Sequence, residues 1–286
     1  MEYRLSRRET LSMLALLGAT VPSRAVHAMA SRPFSSRRIA IRSQGSGRNV
    51  ILVPGLGSGP DIWNRLMRDV QGYRWHAMHV RGFAGLPAED NRHGPLLVPI
   101  ADEIARYVTE SGLRRAAMVG HSMGGLLALL VAIRHPQVAE RLMVVDMLPA
   151  GAAMVGGTTE GLGFLARQLR GYFTATEAGR RAFAAILRDA TPGGATSDPD
   201  VIAAALDEIA GTDLGPKLPS IRTSITVVPA MPADRQLAAA ALDRVRRAYR
   251  GAPALRVVPV GPSGHAVMLD QPVKFAETVR RFLELG

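Results

Sequence analysis

Gly120-His121-Ser122-Met123-Gly124-Gly125 sets a serine between glycines at minus two and plus two. An apolar run, Ala116-Ala117-Met118-Val119, precedes it, and a helix-forming run over 126–133 follows. Strand, sharp turn and helix is the context in which G-x-S-x-G holds its serine on a strained turn, hydroxyl exposed above a sheet. Side chains at the flanking positions would meet the neighbouring strand and helix, so glycine is needed there. The following helix directs its positive end at the hydroxyl. The chemistry open to such a group is nucleophilic attack, provided a base takes its proton.

Seven histidines compete for the role of base. His27 lies near the N-terminus, His76 and His79 in a strand-like run, His93 in a polar loop and His135 at a helix end. His121 is too close along the chain to swing onto Ser122, and a packing role is expected of it. His265 is different, because Gly261-Pro262-Ser263-Gly264-His265 is a loop leaving a strand before the last helix. In a parallel sheet that loop opens at the C-terminal strand edge, on the same side as the serine turn. A neutral imidazole there takes the serine proton and returns it to a leaving group.

The elements that must position these residues are legible as alternating runs. Strand patterns fall around 39–41 and over 49–54, 75–80, 115–120, 142–146, 225–228 and 254–260. Helical patterns cover 60–70, 98–108, 122–134, 235–249 and 272–285, and Asp270 is expected to cap the last of these ahead of Pro272. Such alternation implies βαβ units and a mainly parallel sheet. Between 149 and 220 it breaks. Helical segments alone are expected there, at 159–173, 177–189 and 201–209, as an insertion over the sheet.

A chain of 286 residues suffices for one large α/β domain with such an insertion. Its net charge of +11 comes from 33 Arg and 2 Lys. These are scattered, and with 5% aromatics no basic stripe interleaved with rings is present to stack bases. Solvated arginine, with no nucleic-acid partner, is the expectation. The absence of cysteine excludes disulfides, a thiolate metal site and a cysteine nucleophile. No H-E-x-x-H is present, and the glycines of 55–59 lack the Gly-Lys-Ser/Thr ending of a phosphate loop. Neither metal nor cofactor is expected. At the N-terminus, Arg7-Arg8 precedes an apolar run over 14–21 and then Ala28-Met29-Ala30. That order resembles a twin-arginine export signal over 1–30, with an apolar run too short to span a bilayer. It implies the twin-arginine translocase as a transient partner, a periplasmic or other extracytoplasmic location, and no stable membrane span after processing.

Further motifs surround the serine turn. Val53-Pro54-Gly55-Leu56-Gly57 follows one strand, Arg81-Gly82-Phe83-Ala84-Gly85 follows the next, and Gly264-His265 precedes Asp270-Gln271-Pro272. With GHSMGG and the helical insertion, these make the chain over about 38–286 resemble the α/β-hydrolase superfamily, in its capped, esterase-like branch. The resemblance implies an α/β fold: a mainly parallel central sheet flanked by helices, core 31–148 and 221–286, helical cap 149–220. The family order of nucleophile, acid and histidine fits Ser122 and His265 with an acid between them. The family usually places that acid in the loop after the strand that follows the cap. Asp234 is the only carboxylate of that loop here and is preferred, although the usual glycine closely before the acid is missing. Asp146, at the end of the strand after the serine helix, is the alternative. The resemblance also implies an oxyanion hole from the N–H groups of Leu56 and Met123, with Pro54-Gly55 where the family commonly has His-Gly. A serine nucleophile argues against dehalogenase and epoxide hydrolase chemistry, which use aspartate in this superfamily. Cleavage of carboxylic esters through an acyl-enzyme is therefore expected, on a small molecule whose apolar acyl part meets cap residues such as Phe164 and Phe173. The rivals are a carbon–carbon bond hydrolase or amidase on the same triad, and a non-turnover ligand-binding protein of the same fold.

Overall fold

Val50-Ile51-Leu52-Val53 is apolar at every position because both faces of its strand are covered. In the computed structural model of the protein, residues 34–113, 116–151 and 193–285 are described. The strands are β1 (Ile39–Gly45), β2 (Arg48–Val53), β3 (Tyr73–Val80), β4 (Ala116–His121), β5 (Ala139–Val145), β6 (Ser224–Val228) and β7 (Leu255–Val257). They form one sheet in the order β1-β3-β2-β4-β5-β6-β7. Only β1 runs antiparallel to its neighbour; every other pairing is parallel. This is the α/β fold expected from the alternating pattern.

Helices α1 (Asn64–Asp69), α2 (Leu97–Glu110), α3 (Met123–Arg134), α4 (Pro199–Gly211), α5 (Arg235–Ala248), α6 (Val267–Asp270) and α7 (Pro272–Glu284) flank it. Side chains alternate across a strand, so the core divides into two layers. Ile51, Val53 and Met118 pack with α2 and α3, whereas Val50, Leu52 and Val119 pack with Trp63, Phe275 and Val279 on the other face.

Three details depart from the expected elements. The helical pattern over 60–70 divides into a 3-10 turn, Pro60–Trp63, and the short α1. The last strand is only three residues long, and Val260 rejoins the sheet edge through a single bridge to Ala230. Gln271, not Asp270, occupies the cap position of α7. The Asp270 carboxylate instead accepts the Gly264 N–H at 2.8 Å, tying down the loop that carries His265.

Of the insertion, residues 149–151 and 193–220 are described, with α4 as their main element. Asp198 caps α4 by accepting from the N–H groups of Asp200 and Val201. The Glu208 carboxylate accepts from Leu96 and Leu97 N–H at 2.6 and 2.9 Å, supplying partners for the amides that open α2. The Ser197 hydroxyl donates to the Gly57 carbonyl and accepts from Ala84 N–H. These bonds fix α4 against the loops after β2 and β3. The helices expected at 159–173 and 177–189, and the signal expected over 1–30, lie outside the described residues.

Candidate active site

β4 ends at His121 and α3 begins at Met123, so Ser122 alone makes the reversal. It does so at φ 53° and ψ −123°, a region that L side chains rarely occupy. Its N–H donates to the Val145 carbonyl at 2.9 Å, and its own carbonyl accepts from Gly125 N–H at 2.8 Å. The flanking glycines are there for space. A Cβ on Gly120 would overlap the Gly124 carbonyl, and one on Gly124 would overlap the carbonyls of Val53 and Pro54. The second overlap shows how closely the loop after β2, carrying Leu56, approaches the turn.

The neighbouring strand supplies the acid. Asp146 follows β5 directly, at φ 44°, with its N–H bonded to the Val228 carbonyl. A short acidic side chain tolerates that conformation better than most. One carboxylate oxygen accepts Ala230 N–H at 2.9 Å, and the other accepts His265 Nδ1–H at 2.7 Å. The Asp146 side chain is 18% exposed and that of His265 49%, so the bond sits at the mouth of the site with the acid inward. The expected pairing of His265 with Asp234 is not what the fold makes. Asp234 caps α5, its Oδ1 accepting from Gln236 and Leu237 N–H at 2.9 Å each. Asp234 is exposed, and among the described residues no hydrogen bond joins it to His265.

His265 is held from below as well. Ser263 N–H bonds the Met231 carbonyl, and the Ser263 hydroxyl bonds that of Val260. His121, expected only to pack, donates its Nε2–H to the His265 carbonyl at 2.9 Å, and the two rings lie 4.7 Å apart. Burial, then the charge of a protonated His265, pushes the His121 imidazole down to about 4. It is therefore neutral at ordinary pH, and the carbonyl partner assigns the proton to Nε2. Nothing in the sequence around His121 separates a packing histidine from one bonded to a loop 144 positions further on.

Ser122, Asp146, His265 and Leu56 line one cavity of about 850 Å³. Among the described residues no hydrogen bond joins Ser122 to His265. Met123, next to Ser122, is buried, and as the first residue of α3 its N–H has no partner within the helix. Among the described residues, no group of three or more His, Asp or Glu is placed to hold a metal. The arrangement offers a hydroxyl on a helix N-terminus, an imidazole oriented by a carboxylate and a cavity to receive a substrate. That is equipment for nucleophilic catalysis.

Comparison with known proteins gives a consistent setting. The model of the alpha/beta hydrolase family matches residues 50–278. A pimeloyl-[acyl-carrier protein] methyl ester esterase of Vibrio vulnificus is 28% identical over 112 residues, 39% of this chain and 42% of that protein. Matches to other curated relatives span 34% and 37% of their lengths, so the chain aligns with only part of these proteins. An esterase from Exiguobacterium antarcticum superposes with a TM-score of 0.70 at 18% identity, over 86% of this chain and 95% of that one. The enol-lactonase from Burkholderia xenovorans superposes with a TM-score of 0.62 at 21% identity, over 86% and 96%. These structural likenesses are likenesses of fold.

Proposed function

We propose that this chain, which belongs to the alpha/beta hydrolase family, is a serine hydrolase that cleaves carboxylic esters. The observation that carries the proposal is the 2.7 Å bond from His265 Nδ1 to Asp146, made in the cavity that Ser122 also lines. With Nδ1 bound to the carboxylate, Nε2 is the nitrogen left to accept a proton. Ser122 Oγ attacks the acyl carbon, and its proton passes to His265 Nε2. Asp146 keeps the tautomer and stabilises the imidazolium. The N–H groups of Leu56 and Met123 are the donors for the oxyanion, each worth a few kcal/mol (roughly 3) where such groups are preorganised. His265 then protonates the leaving alcohol. A water, deprotonated by the same nitrogen, releases the acid and restores Ser122. Serine–histidine contacts of this kind tighten as substrate is engaged.

The esterases among the similar proteins support an ester as the scissile group. A panel of p-nitrophenyl esters set against matched amides and carbon–carbon diketones tests the reaction class. Multiple turnovers on esters, and slower or none on the other two, are expected. Preferred cleavage of amides or diketones would overturn the ester assignment while retaining the nucleophile. Arg7-Arg8 ahead of the apolar run further supports a proposal of export through the twin-arginine route. Fractionation of cells expressing the chain, beside a variant with both arginines changed to lysine, tests it; an unchanged distribution would contradict it.

A further inference from the structure

We propose that the cavity selects esters carrying a second, free carboxylate, which Arg244 and Arg247 receive. Helix α5 turns Leu237, Ala240, Ala241, Arg244 and Arg247 to the cavity. Recurrence at three and four residues places these on one helix face. Among the described residues of α5 only Val245 is buried, so the cavity-facing row is not part of the core. The alanines leave room beside the helix, and Met147, Leu206 and Ile209 make much of the rest of the wall apolar. Among the described residues the polar side chains of the wall are few: Ser122, Asp146, His265 and the two arginines.

Among the described residues neither arginine has a counter-charge. Both oxygens of Asp146, the one carboxylate among the described residues that line the cavity, are taken by Ala230 N–H and His265. No ion pair or hydrogen bond joins Arg244 or Arg247 to a described residue. Elsewhere the chain pairs its arginines freely, as at Arg65–Asp69, Arg92–Asp198 and Arg134–Asp102. Arg235 and Arg246 of the same helix likewise have no partner among the described residues, but they do not line the cavity. Two planar guanidiniums one helical turn apart can both donate to one carboxylate, and such charge-assisted, forked bonds are the strong kind. An apolar spacer on the substrate suits the apolar wall. Exposure of both arginines limits the gain, so the effect is one of selectivity among esters rather than of catalysis itself.

The inference rests on the hydrolase reading above, and its test separates the two. Methanol release is measured for monomethyl succinate, adipate and suberate and for the methyl esters of the matching monocarboxylic acids. The full chain is compared with the Arg244→Gln/Arg247→Gln and Arg244→Lys/Arg247→Lys double variants. The wild-type ratio of kcat/KM, hemi-ester over neutral ester, is expected to be about tenfold or more for at least one length. It should fall towards one in the glutamine variant, recover in part in the lysine variant and shrink as salt is raised. Turnover with the same ratio in wild type and glutamine variant would overturn the inference and leave the hydrolase reading intact. Calorimetric binding of the hemi-esters to Ser122→Ala, with and without the arginine changes, covers the other case. Arginine-dependent binding without wild-type turnover would uphold carboxylate recognition and overturn the hydrolase reading; absence of both would overturn both.

Discussion

Asp146 has both carboxylate oxygens engaged, one by Ala230 N–H and one by His265 Nδ1. Replacing it with asparagine offers His265 an amide in place of a charge, so the wrong tautomer or orientation is favoured. Asp146→Asn is expected to lower kcat by about ten-thousandfold with little change in fold. Asp234→Ala removes the acceptor for two N–H groups that open α5 and is expected to cost about 1 kcal/mol of stability. That loss should register in thermal melting and not in turnover. Equal losses of kcat in the two variants would contradict the assignment of the acid. Ser122 and His265 were legible in the sequence because an element pattern surrounds each of them. The acid was not, because a lone aspartate after a strand and one before a helix carry no mark of where their oxygens point. The cap role of Asp234 is local, readable from the helix that follows. The role of Asp146 depends on a residue 119 positions away.

At the scale of elements, the turn between β4 and α3 works because two other elements pass within contact of it. The carbonyls of Val53 and Pro54, at the end of β2, occupy the space a side chain at position 124 would need. Gly124→Ala is expected to destabilise the protein by about 3 kcal/mol, or to displace the loop bearing Leu56 and lower kcat. Melting and ester turnover, measured together, distinguish these, and a variant normal in both would contradict the close packing. Both glycines were visible in the motif, but what they make room for was not. Similarly, 201–209 was readable as a helix from its apolar spacing, whereas its anchorage was hidden. Glu208 finds the amides of Leu96 and Leu97 more than a hundred positions away. β7 is shorter than its apolar run because the chain leaves the sheet once the Val258 N–H has bonded the Val227 carbonyl, and rejoins it through the bridge between Val260 and Ala230.

Across the whole molecule, two apolar layers cover the sheet, and buried imidazoles make its stability depend on acid. His76 lies inside a network with Ser43, Tyr107 and Asn49, and burial pushes its imidazole down to about 4, as it does for His121. Unfolded, such rings protonate near 6.5. Between those values the unfolded chain binds more protons than the folded one, so stability is full above 6.5 and declines as pH falls towards 4. The combined loss is on the order of a few kcal/mol. Denaturant melts across this range should show that slope, and His76→Gln and His121→Gln should each flatten it. The parallel sheet was legible at this scale because central strands read as continuous apolar runs between helical ones. The unpaired cationic face of the cavity was not, since 33 arginines spread over 286 residues give no hint of which lack a partner. The claim on which the whole account depends is that Ser122 is the nucleophile. Steady-state hydrolysis of p-nitrophenyl esters by wild type and Ser122→Ala tests it directly, with mass analysis after a fluorophosphonate probe. A single adduct on Ser122 and a loss of turnover beyond about a thousandfold in the variant are expected; full activity in Ser122→Ala, or an adduct elsewhere, would contradict the account.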